Sequence, residues 1–118
     1  MDKKRILLVD DEENIQLLYR EEFEDEGYIV DSAYNGSEAL AKFRENPPDL
    51  VVLDINMPGM NGIEVLRQMK ELQANLPVIL SSAYQEYKQD FGSWASEAYV
   101  VKSANMDELK ATVRKYLG

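Results

Sequence analysis

Short apolar runs, most of them ending at a polar side chain, alternate along the chain with segments of helical spacing. The runs cover residues 5–9, 28–30, 50–53, 77–80 and 98–101. Runs that carry no polar break inside them are typical of strands whose two faces are both covered. The pattern therefore predicts five short strands, and the run at 50–53 is predicted to be buried on both faces.

The segments between these runs place apolar residues three or four positions apart, which favours amphipathic helices. The first helix is predicted from residue 12 to about residue 26, and Gly27 ends it. Residues 35–37 predict a turn before the second helix. The residues predicted to face inward are Ile15, Leu18, Tyr19 and Phe23, then Ala39, Leu40 and Phe43, then Ile63, Leu66 and Met69, and finally Leu109, Val113 and Tyr116.

Two further segments complete the prediction. Residues 84–97 are polar and weakly patterned, with Gly92 inside them, so we expect a short or irregular helix there. The last helix is predicted to begin near Asn105 as its cap, with Glu108 at the position of a capping-box contact.

Strands and helices alternate five times in this pattern. Such alternation predicts an α/β fold in which a parallel sheet is covered on both faces and the crossovers are right-handed. The length of 118 residues suits one domain with one core, so we expect residues 1–118 to form a single domain.

Composition narrows the chemistry that the chain can carry. There is no cysteine and no histidine, which excludes thiolate or imidazole metal sites and histidine acid–base catalysis. The net charge of −9 argues against binding of nucleic acid through a basic face. No apolar run reaches the length of a membrane span and no signal peptide is evident, so we expect a cytoplasmic domain that does not bind membranes.

Polar groups follow four of the five predicted strands: Asp10 and Asp11, then Asp54, then Ser81 and Ser82, then Lys102. The carboxyl ends of parallel strands meet at one edge of the sheet, so these groups are expected to converge. Three carboxylates in one place favour a hard divalent cation, and Mg²⁺ suits oxygen ligands. A lysine and a hydroxyl can bind a tetrahedral oxyanion. The set predicts phosphoryl transfer onto an aspartate.

With these residues the chain resembles the CheY-like receiver domains of two-component response regulators, over essentially its whole length. The resemblance implies a flavodoxin-like fold of three layers, α/β/α, around a five-stranded parallel sheet of order 2-1-3-4-5. Its most specific motif is the stretch 48–62. The matching motifs are residues 6–11, 31–40, 48–62, 77–83 and 98–102.

The resemblance also implies a phosphorylation site. Asp54 would accept the phosphoryl group from a phosphohistidine of a sensor histidine kinase or a phosphotransfer protein. Asp11, Asp54 and the backbone carbonyl of Asn56 would hold Mg²⁺, and Asp10 would reach the cation through water. The domain would then catalyse only its own phosphorylation and dephosphorylation, and it would not be a conventional enzyme.

Three more residues have roles that the resemblance implies. Lys102 would contact the phosphoryl oxygens, Ser82 would be the switch hydroxyl, and Tyr99 would be the aromatic that moves inward with Ser82. Ser103 replaces the family's usual proline after the lysine, so we expect a trans bond there. The signal would pass to an output domain or a downstream protein, from a monomer or a dimer linked to phosphorylation.

Alternatives remain open at this stage. A degenerate receiver would act as an interaction module without phosphorylation. A phosphatase or phosphotransferase with an aspartyl nucleophile is disfavoured, because such enzymes use an acid two residues later and Asn56 cannot donate a proton in that way. A flavodoxin-like cofactor binder is disfavoured because no glycine-rich loop follows the first strand.

Overall fold

The computed structural model describes residues 3–54, 62–82, 98–101 and 106–117. The strands are β1 (Arg5–Val9), β2 (Ile29–Ala33), β3 (Leu50–Asp54), β4 (Val78–Ser82) and β5 (Ala98–Val101). The helices of these residues are α1 (Glu13–Asp25), α2 (Gly36–Glu45), α3 (Gly62–Leu72) and α4 (Asp107–Leu117). The sheet has the order β2-β1-β3-β4-β5, and every neighbouring pair of strands is parallel. The parallel α/β architecture is therefore confirmed.

The sheet carries a core on each face, because alternate residues of its strands point to opposite sides. One core packs against α2 and α3 and contains Leu7, Val9, Val51, Leu53, Val78 and Leu80 from the strands. The other packs against α1 and α4 and contains Ile6, Leu8, Leu50, Val52, Ile79 and Val100. Helices on both faces make three layers, and the strand ends are left as the place where side chains can meet outside the core.

The second strand is longer than predicted. The prediction ended it at Val30, which is wrong, because the strand continues through Asp31 and Ser32 to Ala33. Asp31 pairs with Arg5 of the neighbouring strand, with 2.8 Å between Oδ2 and Nη1. β2 is an edge strand, and its polar residues, the partly exposed Asp31 and the buried Ser32, interrupt the apolar pattern without interrupting the ladder of hydrogen bonds.

The inward face of α1 also differs from the prediction. Tyr19 and Phe23 are buried as expected, but Leu18 is 40% exposed and its predicted place in the core is wrong. Gln16 is buried instead, with 2% of its surface exposed. The helix is rotated so that an amide faces the sheet, and this amide finds backbone acceptors there, as described below.

The helix ends follow local rules of capping. Gly27 has a φ of 96° and ends α1, with Tyr28 N donating to Phe23 O and Gly27 N donating to Glu24 O. The residues predicted as a turn, 35–37, instead begin α2, because Asn35 Oδ1 accepts a hydrogen bond of 2.8 Å from the backbone N–H of Glu38.

The structure describes the region of the last helix from Met106. Lys110 N donates to Met106 O at 2.8 Å, so α4 begins directly after Met106. Its inward residues Leu109 and Val113 are buried, as predicted. The predicted cap Asn105 and the predicted irregular helix at 84–97 lie outside the described residues. Among the helices that are described, none has both the length and the apolar character needed to cross a membrane.

Candidate functional site

Two buried carboxylates lie next to each other where the two central strands end. Val9 of β1 pairs with Leu53 of β3, so Asp10, which directly follows β1, lies beside Asp54, the last residue of β3. Adjacent strands lie about 4.8 Å apart. Asp10 is 2% exposed and Asp54 is 1% exposed. Isolated carboxylates resist such burial because desolvation disfavours their charged form. The pair therefore makes this edge of the sheet the candidate site, and both residues have interaction partners.

A cluster of acids surrounds the end of β1. Asp10, Asp11 and Glu12 each offer one carboxylate oxygen, and these oxygens all lie within 4.8 Å of one another. Asp54 is not a member of this group of three. Asp11 and Glu12 are exposed, whereas Asp10 is buried. Oxygen ligands of this charge and number suit a hard cation such as Mg²⁺. The residues present therefore fit the cation that was predicted.

The sequence prediction did not include Glu12 in this cluster. It placed Glu12 inside the first helix, whereas α1 begins at Glu13 and Glu12 is its N-cap. Asp10 Oδ1 accepts a 2.9 Å hydrogen bond from the backbone N–H of Glu12, which folds the loop back onto itself. This tight turn is what brings the third carboxylate close, and three successive acids before a helix are the signal in the sequence.

Gln16 connects this loop to the sheet, and it too was missed by the prediction. Its Nε2 donates to the backbone carbonyl oxygens of Asp10 at 2.9 Å, Ala33 at 2.8 Å and Leu8 at 3.2 Å. The backbone N–H of Asp10 also donates to Ala33 O at 3.0 Å. The acid loop is therefore tied to the ends of both β1 and β2.

The serines at the end of β4 occupy two different positions. Ser81 pairs with Asp54 across the β3–β4 ladder and is 2% exposed. Its Oγ has no hydrogen-bond partner within the part of the chain that the structure describes. Ser82 is the last residue of β4 and pairs with Val101, the last residue of β5. The backbone therefore places Ser82 and the residue before Lys102 at the same edge of the sheet as Asp54.

Several predicted site residues lie outside the part of the chain that the structure describes. Asn56, Lys102 and Ser103 lie outside the described residues, and so do the side chains of Ser82 and Tyr99. Tyr99 belongs to β5, where it pairs with Leu80 of β4. The structure thus brings together Asp10, Asp11 and Glu12, and it sets Asp54 beside Asp10. The roles of the other residues stay predictions.

Comparisons with known proteins agree with this geometry. A family profile described as "Response regulator receiver domain" matches residues 6–114. The chain is 40% identical over 119 residues to sporulation initiation phosphotransferase F of Bacillus subtilis, covering 99% of this chain and 96% of that protein. It is also 38% identical over 115 residues to regulatory protein AtoC of Escherichia coli, and this match covers 96% of this chain and 25% of that protein.

Solved structures give the same result. The chain is similar to the response regulator TrrA of Thermotoga maritima in complex with Mg²⁺ and BeF, with a TM-score of 0.90, 51% identity, and coverage of 96% of this chain and 98% of that one. It is also similar to TrrA in complex with the histidine kinase ThkA, with a TM-score of 0.89, 51% identity, and coverage of 98% and 99%. Profile, relatives and structures all agree, and the chain belongs to the response regulator receiver domain family.

Proposed function

We propose that residues 1–118 act as one receiver unit that accepts a phosphoryl group on Asp54 and changes conformation in response. The observation that carries this proposal is the burial of Asp54 at the end of the central strand β3, beside Asp10 and the acid cluster. TrrA, which is 51% identical, has been solved with a histidine kinase, so we propose a kinase of this class as the phosphoryl donor. A phosphotransfer protein that carries a phosphohistidine is an equivalent donor.

The acids would hold Mg²⁺ next to the phosphoacceptor. We assign Asp11 and Asp54 as ligands together with the backbone carbonyl of Asn56, and Asp10 as a ligand that acts through water. TrrA was solved in complex with Mg²⁺ and BeF, which supports the assignment of Mg²⁺ as the cation. When bound, Mg²⁺ supplies positive charge that offsets both the carboxylates and the incoming phosphoryl oxygens.

Three residues of the chain have separate roles in the proposed phosphoryl transfer. A carboxylate oxygen of Asp54 forms the new P–O bond, and the electron pair of the breaking P–N bond returns to the imidazole of the donor. Lys102 provides a positive charge for the phosphoryl oxygens, and the hydroxyl of Ser82 donates a hydrogen bond to them. The products are an acyl phosphate on this domain and a free histidine on the donor.

The proposed conformational change arises because the phosphoryl group on Asp54 requires hydrogen-bond donors and positive charge around it. A phosphoryl group adds nearly two negative charges and three strong acceptor oxygens. If Ser82 and Lys102 satisfy them by moving their loops, Tyr99 can follow, and one of two arrangements becomes favoured. We propose that an output domain or a downstream protein reads that arrangement, from a monomer or from a dimer linked to phosphorylation. This activity concerns the domain itself and is not that of a conventional enzyme.

The experiment uses acetyl phosphate as a small phosphoryl donor. The chain is incubated with acetyl phosphate and Mg²⁺, and its intact mass is measured. We expect one phosphoryl adduct, which disappears when EDTA is added beforehand and is absent in Asp54→Asn. Asp25→Asn is the matched control, because Asp25 is an exposed acid at the far end of α1.

The other outcomes separate the alternatives. No adduct in the unmodified chain would favour an interaction module that works without phosphorylation. Continued turnover of a phosphoester would favour an enzyme with an aspartyl nucleophile. An adduct that persists in Asp54→Asn would place the phosphoacceptor at another residue.

A further inference from the structure

Gln16 is a buried amide whose position inside α1 is not explained by packing alone. It is 2% exposed, and it lies among strand ends and not on the polar surface of the helix. Its Oε1 is buried and has no hydrogen-bond partner among the residues that the structure describes. A buried acceptor without a partner costs free energy, whereas an apolar side chain of similar size would fill the same space without that cost.

The nitrogen of the same amide is fully used. Nε2 lies 2.9 Å from Asp10 O, 2.8 Å from Ala33 O and 3.2 Å from Leu8 O. An amide nitrogen has two hydrogens, so one of the three bonds is shared, and the longest is the one to Leu8. Three carbonyl oxygens around one atom also set the orientation of the amide, since the flipped form would place its own oxygen against them.

These contacts constrain the peptide that joins Asp10 to Asp11. The carbonyl of Asp10 is turned inward towards Gln16, and the next residue, Asp11, is exposed at the surface. The backbone N–H of Gln16 donates to Glu12 O at 3.0 Å, the ordinary i to i−4 bond of a helix, so the loop is held at Asp10 by the amide and at Glu12 by the helix backbone. Asp10, Asp11 and Glu12, the three acids of the cluster, form the whole segment from the first point of attachment to the second.

We infer that Gln16 is a positioning residue for the cation site of this domain. By holding the Asp10 carbonyl, the amide sets the carboxylates of the acid loop in their common geometry. This inference rests on the proposed function, because that function assigns the cation. Residues that orient metal ligands without touching the metal commonly change its affinity about 10- to 100-fold when they are replaced.

The test compares Mg²⁺ binding in matched variants of the full chain by isothermal titration calorimetry. Gln16→Met keeps the volume of the side chain and removes the donor, and we expect it to bind Mg²⁺ about tenfold more weakly. Phe23→Leu is the control, because Phe23 is fully buried on the same face of α1 but lies about two turns beyond Gln16. We expect Phe23→Leu to lower stability and to leave the Mg²⁺ affinity unchanged.

A spectroscopic measurement separates positioning from general stability. In NMR spectra the backbone amide signals of Asp11 and Glu12 should move in Gln16→Met and stay in place in Phe23→Leu. If Gln16→Met does not fold, Gln16→Asn serves instead, because its amide is one methylene shorter and cannot reach all three carbonyls.

Two results would overturn the inference. One is a folded Gln16 variant that binds Mg²⁺ as tightly as the unmodified chain. The other is a loss of affinity in Phe23→Leu that equals the loss in the Gln16 variant. Failure of the unmodified chain to bind Mg²⁺ is a different result, since it would contradict the proposed cation site itself.

Discussion

Asp54 of β3 and Ser81 of β4 are paired across the sheet, and both are almost completely buried. Val52 and Ile79 face the core beneath α1 and α4, so alternation along each strand directs Asp54 and Ser81 to that same side. The proposed phosphoacceptor therefore has a buried hydroxyl as its neighbour. Among the described residues this hydroxyl has no hydrogen-bond partner.

Replacing Ser81 by alanine should stabilise the domain that carries no phosphoryl group. Burying a hydroxyl without a hydrogen bond costs about 1–3 kcal/mol, and alanine removes that cost while leaving only a small change in volume. We expect Ser81→Ala to raise the free energy of unfolding by about 1 kcal/mol, measured by urea denaturation. Ser37→Ala, at an exposed position in α2, should change it by less than about 0.5 kcal/mol. A lower stability in Ser81→Ala would mean that the hydroxyl is satisfied.

The cap of α2 should contribute measurably to stability. Asn35 Oδ1 accepts the backbone N–H of Glu38, a donor that would otherwise have no partner within the helix. Asn35→Ala should lower the free energy of unfolding by about 1 kcal/mol, whereas Asn35→Ser should keep most of the stability because serine also caps helices. Equal losses in the two variants would show that the cap does not depend on the side-chain oxygen.

Two ion pairs join α4 to α1 and to its C-cap residue, and they should respond to salt. Lys110 contacts Glu22, and Arg114 contacts Glu26. The hydrogen bond to Glu22 raises the pKa of Lys110, in keeping with a paired ammonium. Lys110→Met should lower the urea midpoint slightly at low ionic strength, and the difference should vanish in about 1 M salt because screening weakens partly exposed pairs. A difference that persists in high salt would point to lost packing of the lysine stem.

Stability should fall in alkaline solution through Tyr28. Burial raises the pKa of the Tyr28 phenol above its ordinary value of 10.0, Glu26 adds to this effect, and Arg114 opposes it. In the unfolded chain the phenol loses its proton first, so the stability linked to Tyr28 is complete below pH 10.0 and declines as the pH rises towards the folded value.

The measurement is tyrosinate absorbance during an alkaline titration. The difference between the unmodified chain and Tyr28→Phe should titrate with a midpoint above 10.0. Unfolding free energies should also fall less steeply in Tyr28→Phe, although some slope remains because the pKa of Lys110 is raised as well. A midpoint at or below the ordinary value would show that the phenol is not protected in solution.

The local pattern of the sequence was sufficient to predict most of the elements. Apolar runs without polar breaks identified the three central strands. Those strands are covered on both faces, so no face of them is exposed to solvent and needs polar residues. The same reasoning ended β2 at Val30, because Asp31 and Ser32 are polar. The sequence could not show that Arg5 of the adjacent strand pairs with Asp31 and allows the strand to continue. The edge of the sheet was thus harder to predict than its centre.

Helical spacing predicted the existence of α1 but not its rotation. Leu18 was predicted to face inward and is 40% exposed, so that assignment was wrong, and Gln16, for which the pattern gave no prediction, is buried at 2%. A polar residue can face the interior when the fold supplies its hydrogen-bond partners. Those partners, the carbonyls of Leu8, Asp10 and Ala33, come from two different strands, so no local pattern could reveal them.

The sequence by itself determined which elements form and that acids follow the strands, because the hydrophobic period and the residue types are local properties. Only the tertiary structure decided which of those groups meet. Strand register placed Asp54 next to Asp10 and Ser81, a tight turn added Glu12 to the acid cluster, and the rotation of α1 brought Gln16 beneath it. Proximity between distant segments depends on how the layers pack, and packing is a property of the whole chain.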